Sequence, residues 1–208
     1  MGKITVENLS KSFDKKNIFH KFDMEVQEGE ILGIRGKTGI GKTTLLRCIA
    51  DLENYEGNID KEGEISYLFQ KPRLLPWMNV RKNILLPFKL QKKDVKEKHL
   101  ERMKELSKNL DVDGHLDKRI GEISGGQKQR VLQIRALITK PDILLLDEPF
   151  SSLDSKTREE AYNKILETCK DENITTLVAS HYEDIRPMMD RVIEFQEGES
   201  VSMVSKRS

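Results

Sequence analysis

The fold is decided by the stretch Gly36-Lys37-Thr38-Gly39-Ile40-Gly41-Lys42-Thr43, which matches the pattern G-x-x-x-x-G-K-[ST]. Residues without side-chain bulk let successive backbone N–H groups surround anionic oxygens, and the start of a following helix adds the positive end of its dipole. A compact apolar run at 31–34 precedes the stretch, and helical spacing of apolar residues over 43–52 follows it. A chance glycine-rich turn is the alternative, but the order strand, glycine loop, helix favours a phosphate-binding loop.

The loop residues divide the expected phosphate contacts among them. Lys42 supplies a mobile positive charge for β- and γ-phosphates, Thr43 offers a hydroxyl to Mg²⁺, and Thr44 is expected to help at the α-phosphate. The predicted nucleotide-binding residues here are Gly36, Lys37, Thr38, Gly39, Ile40, Gly41, Lys42, Thr43 and Thr44.

Two kinds of strand pattern surround this loop. Apolar and polar residues alternate over 4–9 and 22–26, which predicts half-buried antiparallel strands. Short β-rich apolar runs at 143–146 and 175–179 are flanked by helical patterns, which is typical of buried parallel strands. Strand spacing also continues from Gly57 to Gln70. The core is therefore predicted to be α/β.

The middle of the chain has a different character. Prolines at 72, 76 and 87 interrupt it, and the charged stretch 94–110 follows. Five apolar residues fall near one face of that stretch, which predicts an amphipathic helix: Val95, Leu100, Met103, Leu106 and Leu110.

The composition limits the partners. The chain has 36 basic and 35 acidic side chains, so it lacks the basic field that nucleic-acid binding usually requires. No apolar run approaches the roughly 20 residues that span a bilayer. Cys48 and Cys169 have no C-x-x-C spacing, which favours free structural thiols in a reduced interior. A soluble, cytoplasmic chain that binds no nucleic acid is expected.

Asp147 and Glu148 follow the four aliphatic residues 143–146. A buried strand would deliver the Asp147 carboxylate to the sheet edge, within reach of Mg²⁺ through water, and Glu148 is placed to polarise an attacking water as general base. Acids that only cap a turn are the alternative for such a pair.

Ser124-Gly125-Gly126-Gln127 opens a later helix pattern. A serine that opens a helix is also an ordinary N-cap. However, a second helix start aimed at phosphate, in a chain that already has its own phosphate loop, indicates a site shared between two protomers.

These motifs, in this order, resemble the ATP-binding subunit of ABC transporters over nearly the whole chain. In that family Phe13 would stack on adenine, Gln70 would reach Mg²⁺ and the water, and His181 would contact the γ-phosphate. A core phenylalanine and an ordinary solvent-facing amide are the alternatives for Phe13 and Gln70. The resemblance implies ATP and Mg²⁺, catalytic roles for Glu148, His181, Gln70 and Lys42, metal contacts from Thr43, Gln70 and Asp147, and ATP contacts from Phe13, Ser124, Gly125, Gly126 and Gln127.

The resemblance also implies the architecture. A single ABC ATPase domain over 1–208 would have a P-loop NTPase (RecA-like) core with an N-terminal antiparallel β subdomain, formed by 1–71 and 131–208. An inserted α-helical subdomain would occupy 72–130.

Two such subunits would pack head to tail and hydrolyse ATP at two composite sites, with the D-loop at 151–154 crossing the interface. The second subunit is expected to be another copy, and a different ATP-binding subunit is the alternative. An integral membrane permease would dock near Gln70 to Val80, where Trp77 is the only tryptophan, although packing within the subdomain is an alternative for that side chain. The protein would then lie on the inner face of the cell membrane.

The segments 74–80 and 147–154 look like those of nitrate, sulfonate and taurine importers. This likeness predicts import of a small solute, such as an organic or inorganic anion, with a solute-binding protein as a further partner. An exporter-type ABC ATPase, a soluble ABC ATPase without a permease, and a nucleotide-bound switch without turnover are the alternatives; the presence of both Glu148 and His181 favours turnover.

Overall fold

The computed structural model describes residues 3–13, 16–70, 73–181, 186–196 and 202–207. The strands are β1 (Ile4–Phe13), β2 (Lys16–Val26), β3 (Ile31–Arg35), β4 (Glu56–Lys61), β5 (Ile65–Leu68), β6 (Ile143–Asp147), β7 (Thr175–Ala179), β8 (Arg191–Gln196) and β9 (Ser202–Arg207). The helices are α1 (Lys42–Ile49), α2 (Val80–Ile84), α3 (Leu86–Leu90), α4 (Glu97–Asn109), α5 (Gly125–Leu137) and α6 (Ser155–Asp171).

The chain forms two compact units. The first consists of Met1–Gln70 and Asp142–Ser208, and the second of Lys71–Pro141. The sequence predicts that the helical subdomain ends at residue 130 and that the core resumes at residue 131, a position inside α5. The structure moves this boundary to 141/142, because α5 continues without a break in the second unit. Positions 71 and 72 of the expected docking segment lie outside the described residues.

The first unit contains two sheets. The larger has the strand order β5-β6-β7-β3-β8-β9, in which only β9 pairs antiparallel. The smaller is antiparallel, with the order β2-β1-β4. Every residue of β6 and β7 is buried, as the continuous apolar runs predict, while β1 mixes buried and exposed residues. The prediction of an α/β core with an antiparallel β subdomain is confirmed.

The core of this unit joins both sheets to α1. Ile4 and Leu9 from β1 are fully buried in the same cluster as Leu45 and Ile49 from α1 and Leu145 from β6. Burying an aliphatic side chain of this size contributes about 1.5–3 kcal/mol. The glycine loop is thus anchored at both ends by buried elements.

The expectation of strand structure from Gly57 to Gln70 needs correction. The segment divides into β4 and β5, which belong to different sheets. Gly63, between them, has φ 102°, and Glu64 N donates to Asp142 Oδ2 at 2.8 Å. The turn at glycine moves the chain from one sheet to the other.

Helix α1 ends before Leu52, which is 54% exposed rather than on the buried face. Asp51 has φ 56°, and Leu52 N donates to Arg47 O at 2.8 Å. This six-to-one hydrogen bond after a left-handed residue closes the helix.

The second unit contains α2, α3, α4 and α5. The amphipathic helix predicted over 94–110 is present as α4, and Met103 and Leu106 are buried, but Val95 precedes the helix and is exposed. Asn83 is fully buried in α2 and fixes the preceding loop: its Oδ1 accepts from Leu75 N at 2.7 Å, and its Nδ2 donates to Leu75 O at 3.1 Å. In the described ranges no helix is both long and apolar enough to cross a bilayer.

Candidate functional site

The glycine loop connects β3 to α1 at the carboxyl edge of the larger sheet. Gly41, which precedes α1, has φ 120°, and a Cβ there would lie 2.6 Å from Ile18 Cγ2. Gly36 has φ 145°, and a Cβ there would lie 2.9 Å from Phe195 O. A side chain at either position would require both a strained backbone and movement of neighbours. The loop therefore keeps its shape only with glycine at these two positions.

The amino end of α1 presents backbone donors. The bond from Leu45 N to Gly41 O, 2.9 Å long, is the first of the helix, which leaves the preceding N–H groups of Lys42, Thr43 and Thr44 without a partner inside it. These N–H groups and the helix dipole together suit an anion.

Lys42 is the second of the two lysines in the loop and is only 5% exposed. Its Nζ donates to Gly36 O at 2.7 Å and Lys37 O at 3.1 Å, and lies 3.4 Å from Glu148 Oε1. The ammonium group is thus fixed over the loop by two carbonyls and a carboxylate.

The Glu148 carboxylate contacts the other three predicted catalytic residues. Its Oε1 lies 3.1 Å from His181 Nδ1, and its Oε2 accepts from Gln70 Nε2 at 3.4 Å. The residue is 8% exposed and adopts φ 44°, while its N–H donates to Ala179 O at 3.0 Å. The left-handed turn at the end of β6 costs about 1–2 kcal/mol and points to a functional constraint.

Asp147 is 3% exposed, and each of its oxygens has a partner. Oδ1 accepts from Thr43 Oγ1 at 2.8 Å, and Oδ2 accepts from Tyr67 OH at 3.1 Å. Burial raises the pKa of this carboxyl above its usual value, and the two hydrogen bonds partly oppose that effect. Burial, followed by the charge of Asp147, also raises the pKa of Tyr67, so its hydroxyl remains a donor at neutral pH.

Sequence reasoning missed Tyr67. It lies within the stretch of strand spacing from Gly57 to Gln70, and no motif marks its hydroxyl. The pairing of β5 with β6 was the missing information, because it sets Tyr67 opposite Leu145, two residues before Asp147.

Phe13 lies at the end of β1 and is 43% exposed. Lys11 Nζ lies 4.6 Å from the centre of its ring. The ring is thus partly exposed rather than part of the core, as stacking on adenine requires, and Lys11 lies over one of its faces.

A cavity of about 470 Å³ lies beside the glycine loop. Its lining residues include Gly36, Lys37 and Ile40 from the loop, together with His181 and Phe195. The volume is within the range of small-molecule sites.

Ser124, Gly125, Gly126 and Gln127 lie in the second unit, at the start of α5. Ser124 Oγ accepts from Gln127 N at 3.2 Å, and Gln127 Oε1 accepts from Ser124 N at 2.8 Å. Gln127 Nε2 also lies 2.7 Å from His115 Nε2. Both ends of the Gln127 amide are therefore occupied within the protein, and no pattern in the sequence indicates the His115 contact.

The donors around Asp147 suit Mg²⁺. The Thr43 hydroxyl and the Asp147 carboxylate are oxygen ligands, which this ion prefers, and they lie within hydrogen-bond distance of each other. Among the described residues no three His, Cys, Asp or Glu side chains form a cluster that could hold a metal.

Comparison with known proteins identifies relatives. A family model described as ABC transporter matches residues 19–151. The spermidine/putrescine import ATP-binding protein PotA of Thermotoga maritima is 35% identical over 97% of this chain, which spans 58% of that protein's length. The aliphatic sulfonates import ATP-binding protein SsuB 2 of Agrobacterium fabrum is 36% identical over 95% of this chain and 78% of its own length.

A solved structure extends the likeness to three dimensions. The ADP conformation of MJ1267, an ATP-binding cassette of an ABC transporter, is superimposable with a TM-score of 0.84 at 25% identity, covering 100% of this chain and 92% of that chain. The family model, the sequence relatives and the structural likeness agree, and the chain belongs to the ABC transporter family.

Proposed function

We propose that the protein is the ATP-binding subunit of an ABC importer, which hydrolyses ATP to ADP and phosphate and so drives transport through a separate membrane permease. The observation that carries the proposal is the convergence of Lys42, Gln70 and His181 on the carboxylate of Glu148. Together with Glu148, these residues come from four separate parts of the sequence, and a purely structural turn requires none of them.

Glu148 is the general base in this proposal. Its carboxylate accepts a proton from the attacking water, while Gln70 and His181 hold its two oxygens in place. Lys42 exchanges its carbonyl and carboxylate partners for phosphate oxygens, and the N–H groups at the start of α1 bind further phosphate oxygens. Phe13 stacks on the adenine.

Thr43 and Asp147 would hold Mg²⁺, with Gln70 nearby. The ion, when bound, neutralises charge on the phosphates. The short bond between Thr43 and Asp147 supports this assignment, because it already brings the two oxygen donors together.

The sites are composite in this proposal, and two copies pack head to tail. Ser124, Gly125 and Gly126 of one copy complete the site of the other. The exposed start of α5 supports this role, since the N–H groups of Gly125 and Gly126 have no partner inside the helix.

Import of a small solute, such as an organic or inorganic anion, is the proposed transport function. Its support is that the relatives named above are import ATP-binding proteins, one of them for sulfonates. The permease would dock near Gln70 to Val80, where Trp77 is 73% exposed. A solute-binding protein completes the proposed complex on the far side of the membrane.

The Glu148→Gln variant tests the chemistry. We expect ATP turnover to fall about 100- to 10,000-fold, with nucleotide binding retained. Glu159→Gln, an exposed residue on α6, is the matched control and should hydrolyse ATP like the wild type. Turnover by Glu148→Gln at the wild-type rate would remove Glu148 from its role.

A dilution series tests the composite sites. The wild-type turnover per chain should fall as the protein concentration drops below the dissociation constant of the dimer. A constant turnover per chain down to nanomolar protein would contradict a shared site.

Co-purification of a membrane-spanning subunit with the tagged chain tests the proposed docking to a permease.

A further inference from the structure

Asp147 has two oxygens, and only one of them faces the proposed metal ligand Thr43. The other, Oδ2, accepts from Tyr67 OH at 3.1 Å. A carboxylate turns easily about its last side-chain bond, so a second hydrogen bond decides which way its plane lies.

The Tyr67 ring is itself held in place. It stacks on Phe69, which follows the end of β5, with ring centres 4.1 Å apart and an angle of 23° between the planes. Strand β5 pairs in parallel with β6, with Leu68 opposite Leu146. Pairing and stacking together hold the hydroxyl beside Asp147.

We propose that Tyr67 is a positioning residue for the metal site: its hydroxyl holds Oδ2 of Asp147, so that Oδ1 remains beside Thr43 to receive Mg²⁺. This inference rests on the proposed function and deepens it. Residues that orient a metal ligand in this way typically change metal affinity 10- to 100-fold when they are lost.

Arg47 is also near this pair. Burial raises the pKa of both Tyr67 and Asp147, and Arg47 opposes this through its charge at both groups and a hydrogen bond with Tyr67. Asp147 receives its own side-chain hydrogen bonds from Thr43 and Tyr67, so Tyr67 orients this carboxylate directly.

The test is the Tyr67→Phe variant of the full chain, which keeps the ring and its stacking but removes the hydroxyl. A fluorescent ATP analogue is titrated at equilibrium, once with Mg²⁺ and once with EDTA. We expect Tyr67→Phe to weaken binding about 10-fold with Mg²⁺ and to leave binding in EDTA unchanged.

Tyr55→Phe is the matched control, because Tyr55 packs against the same core but has no contact with Asp147 among the described hydrogen bonds. It should bind the analogue like the wild type in both conditions. In an Asp147→Asn background, removal of the Tyr67 hydroxyl should have no further effect on the Mg²⁺-dependent part.

Two results would overturn the inference alone. One is wild-type binding by Tyr67→Phe in Mg²⁺, and the other is an equal loss with and without Mg²⁺, which would indicate a general packing role. A wild-type chain that binds no analogue in either condition would overturn the proposed function, and this inference with it.

Discussion

Lys42 Nζ lies 3.4 Å from Glu148 Oε1, and the side chains are 5% and 11% exposed. The pair joins the glycine loop to the end of β6. Because both charges are nearly out of solvent, each stabilises the other against the loss of hydration, and removal of one leaves the other buried without this ion pair.

Replacement of Lys42 by Met should therefore weaken nucleotide binding. The loss of a charged donor to phosphate corresponds to about 10- to 100-fold in the dissociation constant. Isothermal titration with ATP and Mg²⁺ measures it. Lys104→Met, at an exposed position on α4, is the control and should bind like the wild type. Equal affinities of the two variants would contradict the assignment of Lys42.

Gly41→Ala should destabilise the first unit. The added methyl group would lie 2.6 Å from Ile18 Cγ2, and φ 120° is unfavourable for alanine. We expect a loss of about 2 kcal/mol, which lowers the midpoint of thermal unfolding by roughly 4–8 °C in a chain of this size. Gly114→Ala, where a Cβ meets no atom within 4 Å, should unfold like the wild type. A shared shift in both variants would argue against the steric explanation.

Asp147→Asn should stabilise the protein when nucleotide and metal are absent. Burial raises the pKa of Asp147 in the folded state, so the ionised carboxylate lowers the free energy of unfolding at neutral pH. The amide removes that charge, and we expect a midpoint a few degrees higher at pH 7 in EDTA.

The pH dependence checks the cause. The difference in unfolding midpoint between Asp147→Asn and the wild type should shrink as the pH falls through the folded pKa of Asp147 towards the unfolded value of about 3.9. The wild-type carboxyl is then protonated and, like the amide, uncharged. An advantage that persists below that value would point to packing rather than charge.

Gln127 is expected to act through the start of α5. Gln127→Ala removes the acceptor for Ser124 N and the contact with His115, and should cost about 1 kcal/mol in thermal unfolding. Gln127→Glu keeps an acceptor for Ser124 N and should lose less. The exposed Gln91→Ala serves as control. Identical unfolding of all three variants and the wild type would contradict the capping role.

The two thiols should be unreactive in the folded protein. Burial raises the pKa of Cys48 to about 11 and that of Cys169 to about 12, and both side chains have no exposed surface. Labelling with iodoacetamide at pH 8 should be slow in buffer and rapid for both thiols in urea. Rapid labelling of the native chain would indicate an opening near α1 or α6.

Much of this site follows from local sequence. Lys42, Thr43, Asp147 and Glu148 each lie beside an apolar run that folds as a buried element, so their positions at the sheet edge could be predicted. The contacts of Tyr67 with Asp147 and of His115 with Gln127 could not, because each joins separate segments and depends on strand register or on packing.

The errors have a similar cause. Period-two spacing continued from β4 into β5, and only the turn at Gly63 and its contact with Asp142 separate the two sheets. Leu52 continued the helical spacing, but the left-handed conformation of Asp51 ended α1 first. Local periodicity cannot anticipate a backbone reversal that tertiary contacts stabilise.

Asn83 fixes the shape of the loop from Leu75 to Asn79, which carries Trp77. Its buried amide is hydrogen-bonded to the backbone of Leu75 and Asn79, so the indole is carried on a rigid support. Binding of a partner there would cost little conformational entropy, because the loop is already ordered. More of the free energy from burying the indole would then contribute to affinity.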